Sequence, residues 1–175
     1  MDKAELAKRI VEVALLRGAF TLRSGKTSDF YLDKYQFEAD PTLLRELAKA
    51  LSQLIPQDTE VLAGLELGGV PLATALALET GLPAAFVRKE RKQYGTCQIA
   101  EGTRLKGKRV TIIEDVVTTG GAVLDSARAL RDEGAQLLGV LSVISRADNL
   151  DARFTTENLK LTALFAMSDL EPYMR

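Results

Sequence analysis

Two adjacent carboxylates, Glu114 and Asp115, stand between an apolar run and a cluster of small residues in the stretch VTIIEDVVTTGGAV, residues 110–123. Thr118, Thr119, Gly120 and Gly121 follow almost at once. Glycine reaches positive φ without steric cost, so successive amides in such a loop can turn toward one point. A helix starting near Ala122 adds free N–H groups and the positive end of its dipole. Together these make an anion site of phosphate size. The acids cannot bind that phosphate, because like charges repel. They can accept hydrogen bonds from hydroxyls or help hold a hydrated Mg2+. Hydroxyls and a phosphate a few ångströms apart describe a ribose 5-phosphate. The competing reading is an ordinary strand-to-helix turn with threonine caps and solvated acids.

Other segments carry candidate chemistry of the same kind. In GLELGGVPLAT, residues 64–74, a strand ends in Glu66-Leu67-Gly68-Gly69, and Pro71 lies near the first helical position. That is a second tight, amide-rich loop, or a plain glycine turn. In RKERKQYGT, Arg88, Lys89, Arg91 and Lys92 face only Glu90, then Tyr94-Gly95-Thr96 follow without helical pattern. A solvated charged face is the alternative there. FTLRSGKTSDFYLD contains Gly25-Lys26-Thr27, but a Walker A loop needs glycine five residues before Gly25, and position 20 is Phe. The segment also falls between two strand-like pieces, so a P-loop is rejected. Finally, VISRADN ends a buried strand on Arg146, which could fork onto a ligand carboxylate or form a structural salt bridge.

Composition narrows the classes. The chain has 175 residues, 46% hydrophobic and 27% charged, enough for one well-buried domain and too apolar for disorder. A net charge of -1 argues against bulk nucleic-acid binding. No apolar run approaches the roughly 20 residues that span a bilayer. The start, MDKAELAKRIVEV, interleaves charge with apolar positions, unlike a signal peptide. The single cysteine, Cys97, excludes an internal disulfide and fits a reducing cytoplasm. The absence of histidine excludes a Ser-His-Asp triad, a histidine base and the usual zinc sites.

The elements that must position these residues follow from pattern. Asp2 and Glu5 make a possible capping box for a first helix, with Leu6, Ile10, Val13 and Ala14 on one face and Gly18 as its stop. Residues 19–35 are predicted as two strands around Ser24-Gly25. Asp40-Pro41 opens a helix carried by Leu44, Leu47, Ala48, Leu51 and Leu54 to about Ile55. Strands EVLAGL, AAFVR, RVTII, LLGVLSVIS and LKLTALFA then alternate with helices VPLATALALET, closed by Gly81, and AVLDSARALRDE, closed by Gly134. Such alternation predicts an α/β fold, an open and mostly parallel sheet with helices on both faces. Ligands of such sheets bind beyond the carboxyl ends of the strands, here after Leu65, Arg88, Ile113 and Ser145.

TIIEDVVTTGGA resembles the phosphoribosyl-diphosphate signature of the type I phosphoribosyltransferases, and the hood and lid segments resemble those of the orotate phosphoribosyltransferases within that family. The resemblance implies a single domain over residues 1–175, a small N-terminal hood over about 18–38 and a mobile lid over about 89–101. It implies that Glu114 and Asp115 contact the ribose hydroxyls, while Val116, Val117, Thr118, Thr119, Gly120, Gly121 and Ala122 cradle the 5-phosphate. Glu66, Leu67, Gly68, Gly69, Arg88, Lys89, Lys92 and Tyr94 would surround the pyrophosphate. Arg23, Phe30, Tyr31, Thr118 and Arg146 would frame orotate. Lys92 and Asp115 would be catalytic, with Lys92 lent to the neighbouring subunit of a homodimer. Mg2+ would be held mainly through substrate and water near Glu114 and Asp115. Some family members carry a histidine where Tyr94 stands and a loop lysine where Gly68 stands. The implied activity is transfer of ribose 5-phosphate from 5-phospho-α-D-ribose 1-diphosphate to orotate in pyrimidine (UMP) biosynthesis. The rivals are a phosphoribosyltransferase for another base and a non-catalytic, nucleotide-sensing regulator on the same fold.

Overall fold

The structure, a computed structural model, describes residues 1–21, 25–91, 98–146 and 150–175. Helix α1, Lys3–Ala14, starts where Asp2 accepts the Glu5 N–H at 2.8 Å, one half of the expected capping box. It buries Leu6, Ala7, Ile10, Val11 and Ala14. The helix ends four residues before Gly18, the expected stop. The Ala14 carbonyl accepts the Asp33 N–H at 2.8 Å, and Leu15 pairs with Leu32, so a hairpin takes the chain. That hairpin is β1, Leu15–Thr21, antiparallel to β2, Thr27–Leu32. Long-range pairing has overridden local helical pattern here.

A short helix absent from the sequence reading follows: α2, Lys34–Ala39, capped by Asp33 on the Tyr35 N–H. Phe37, fully buried, anchors it in the core. Helix α3, Pro41–Ser52, has Asp40 accepting from the Thr42 and Leu43 amides, as expected, and stops three residues short of Ile55.

The rest is β3 Val61–Leu65, α4 Gly69–Thr80, β4 Ala84–Val87, β5 Ala100–Gly102, β6 Arg109–Val117, α5 Gly121–Asp132, β7 Gln136–Ser145, α6 Leu150–Thr156, β8 Leu161–Ala166 and α7 Met167–Leu170. The sheet order is β5-β4-β3-β6-β7-β8, parallel except for the β4–β5 pair. Two apolar clusters cover its two faces. Leu62, Ile113 and Leu141 pack with α1, α3 and α4, whereas Val61, Ala63, Leu65 and Ile112 pack with α5 and Phe154 of α6. Alternation along β3 thus feeds both layers, the arrangement that a parallel sheet requires. Among the described residues, no helix is long and apolar enough to cross a membrane.

β6 is longer than the predicted RVTII. Its pairing with β7 continues through Glu114↔Ser142, Val116↔Ile144 and Val117↔Ser145. The two acids are therefore part of the sheet, mounted on its central strands at their carboxyl end, with β3 on the other side.

Candidate active site

Asp115 is fully buried although it is ionisable. A buried carboxylate is costly unless its oxygens are engaged, and here one is hydrogen-bonded and the other is ion-paired. Oδ1 accepts the Val116 N–H at 2.5 Å, and Oδ2 meets the Lys34 ammonium at 2.7 Å. Glu114 Oε1 accepts the Asp115 N–H at 3.1 Å. Glu38, one turn beyond Lys34 on α2 and 7% exposed, completes the group.

The charges settle by proton sharing. Burial raises the Glu38 pKa to about 9, and the adjoining Asp115 adds to the rise. Glu114 is likewise raised to about 9, by burial first and then by Asp115. Asp115 moves the other way. Burial opposes its charge, but hydrogen bonds from Glu114, Glu38 and Lys34 hold its pKa below the usual range. Burial also works against the Lys34 ammonium, yet Asp115 and then Glu114 outweigh it and raise its pKa. The protonated forms of Glu38 and Glu114 are thus favoured beside a charged Asp115 that pairs with the Lys34 ammonium. Among the described residues no N–H or hydroxyl reaches Glu38 Oε1. A protonated Glu38 that donates to Asp115 satisfies it.

The loop after β3 is pressed against this group. A Cβ added at Gly68 would lie 1.6 Å from Asp115 Oδ2 and 2.8 Å from Glu38 Oε1. Only glycine fits between loop and carboxylates. Glu66 Oε1 accepts the backbone N–H of Lys89, so this loop is tied to the segment leaving β4. Gly69 is buried, and Leu67 is 64% exposed. Beyond the acids, Thr118 and Thr119 are exposed, and Gly120, at φ 75°, turns the chain into α5. The N-terminal amides of α5 face that turn with no side-chain cap, the condition for anion binding at a helix start. Arg153 of α6 donates to the Thr119 carbonyl at 2.6 Å and steadies the loop from outside.

Comparison with known proteins matches this architecture to one family. A sequence pattern described as the phosphoribosyl transferase domain matches residues 35–157. An orotate phosphoribosyltransferase from a Nocardioides species is 48% identical over 168 residues, 96% of this chain and 94% of its own. The chain belongs to the orotate phosphoribosyltransferases. The orotate phosphoribosyltransferase of Mycobacterium tuberculosis in complex with Fe(III) dicitrate superposes with a TM-score of 0.88 at 31% identity, covering 97% of this chain and 99% of its own. The same enzyme in complex with 5-phospho-alpha-D-ribosyl 1-diphosphate gives 0.84 at 29% identity, covering 98% and 99%. The fold is the one expected, a mostly parallel sheet with a small antiparallel N-terminal sheet.

Within the orotate phosphoribosyltransferase frame, the structure brings together Glu114, Asp115, Gly68 and the start of the 116–121 loop. Several other expected residues have partners of their own. Arg88 pairs with Glu101 of β5 at 3.4 Å, and Arg91 with Glu133 at 2.5 Å. Tyr31 stacks obliquely on Phe20 with centroids 5.7 Å apart, and its neighbour Phe30 is 37% exposed on the alternate side of β2. Arg146 is exposed at the end of β7, its N–H bound to the Val117 carbonyl at 2.9 Å. Arg23, Lys92 and Tyr94 lie outside the described residues. Sequence reading missed Lys34, Glu38 and Arg153. For the first two a signal existed: Asp33 as a cap, Phe37 as an anchor, and Lys34 and Glu38 four apart on one helical face. For Arg153 there was none.

Proposed function

We propose that the protein transfers ribose 5-phosphate from 5-phospho-α-D-ribose 1-diphosphate to N1 of orotate, giving orotidine 5'-monophosphate and pyrophosphate. The observation that carries this reading is the pair Glu114-Asp115 at the carboxyl end of β6, leading directly into the uncapped start of α5. In this reading the acids bind the ribose hydroxyls, and the amides and hydroxyls of Val116 to Ala122 hold the 5-phosphate. Glu66 to Gly69, with Arg88, Lys89, Lys92 and Tyr94, flank the pyrophosphate. Arg23, Phe30, Tyr31, Thr118 and Arg146 frame orotate. Thr118 belongs to both sets.

Mg2+ belongs to this proposal. Among the described residues, no group of three His, Cys, Asp or Glu side chains could hold a metal by itself. The carboxylates at hand therefore suit a hydrated ion that arrives on the diphosphate, the usual habit of Mg2+. When bound, the ion would neutralise charge on the departing pyrophosphate. The chain itself positions both substrates, and its lid cations stabilise the leaving group where water is excluded. No covalent enzyme intermediate is required.

The N-terminal hairpin and α2 serve as the hood over about 18–38, and about 89–101 as the lid of one domain. We further propose a cytoplasmic homodimer in which Lys92 acts in the neighbouring site. A panel of orotate, uracil and hypoxanthine tests the reading. Orotate should be turned over fastest; preference for either other base would move the protein to a different phosphoribosyltransferase activity. Nucleic-acid binding without turnover of any base would make it a regulator.

A further inference from the structure

We propose that Lys34 and Glu38 of α2 are positioning residues that aim and charge Asp115, so that the hood contributes to ribose binding through a carboxylate it does not itself carry. The inference builds on the reading of Asp115 as a ribose-binding group. Lys34 and Glu38 are four residues apart and so share one face of α2. Phe37, fully buried between them in sequence, fixes that face toward the sheet. The Lys34 ammonium lies 2.7 Å from Asp115 Oδ2. Glu38 Oε1 and Asp115 Oδ2 both crowd the point where a side chain on Gly68 would begin, at 2.8 Å and 1.6 Å.

The consequence is mechanical as well as electrostatic. Val116 holds one oxygen of Asp115 from the backbone, and Lys34 holds the other from α2. Without Lys34, a fully buried carboxylate would face Glu38 and lose its ion-pair partner among the described residues. It would then turn away or take up a proton. Either change removes the acceptor that the sugar hydroxyls need. Glu38 supplies a donor to the same carboxylate and fills the space against the Gly68 loop. The Lys34 side chain remains about one-third exposed, so it is not sealed within the core.

The test measures Mg2+-dependent binding of 5-phospho-α-D-ribose 1-diphosphate by calorimetry, together with kcat and KM for each substrate. The proteins compared are wild type, Lys34→Met, Lys34→Arg, Glu38→Ala and Glu38→Gln. Thermal melting confirms that each is folded. Lys34→Met and Glu38→Ala should weaken diphosphate binding by about tenfold or more, with the KM for orotate changed far less. Lys34→Arg and Glu38→Gln keep the cation and the neutral donor, and should recover most of the binding even if the other two fold poorly. Binding within about twofold of wild type in folded Lys34→Met and Glu38→Ala would overturn the inference, as would failure of both conservative variants to recover it. A wild-type protein that binds no diphosphate substrate would remove the functional reading and this inference together.

Discussion

At the residue scale, two acids whose protonated form is favoured sit beside one whose charge is favoured, and this has a pH signature. Glu38 and Glu114 are raised from 4.5 to about 9, so between those values the folded chain holds protons that the unfolded chain has released. Their contribution to stability is complete below the lower value and declines as pH rises to the upper one. Asp115 has the opposite sign: its pKa is lowered from 3.8, so its contribution is present above that value and lost as pH falls. The ligand-free protein is therefore expected to melt at lower temperature at about pH 8.5 than at about pH 6, and Glu38→Gln should flatten the decline. Melting curves at the two pH values check this, and an unaltered slope in Glu38→Gln would contradict it. Little of this cluster was legible in the sequence. Glu114 and Asp115 announced themselves by following an apolar run, but Lys34 and Glu38 look like surface charges until α2 turns them inward.

At the element scale, the loop after β3 meets the end of β6 so closely that its composition is dictated. Gly68→Ala would place a methyl on Asp115 Oδ2. The carboxylate is tied to Val116 and Lys34 and cannot yield freely. A loss of roughly 1–3 kcal/mol in stability is expected, the usual cost of overpacking a filled site. Diphosphate binding should weaken with it; denaturant titration and calorimetry report the two effects separately. Most strands were legible because runs such as VLAGL and LLGVLSVIS bury both faces of a parallel sheet. The elements that escaped are short and polar. α2 spans six residues, and β5 is only Ala-Glu-Gly, recruited as a strand by its pairing with β4. Gly18 misled because α1 ends where the hairpin pairs, a contact set by Leu32 and Asp33 far along the chain.

At the scale of the whole molecule, the alternation of strands and helices was enough to place Glu114, Asp115 and the loop after β3 at the carboxyl rim of the sheet. It did not show that Arg88 and Arg91 are paired with Glu101 and Glu133. If Lys92 is lent between subunits, inactive Lys92→Ala and inactive Asp115→Ala proteins should regain activity when mixed, because some hybrid dimers hold one intact site. Persistent inactivity after verified subunit exchange would count against sharing. The central claim is tested most directly by pyrophosphate release with Mg2+ and 5-phospho-α-D-ribose 1-diphosphate present. Release that depends on orotate, with orotidine 5'-monophosphate formed in equal amount, is the result expected; the same rate with and without orotate would contradict it.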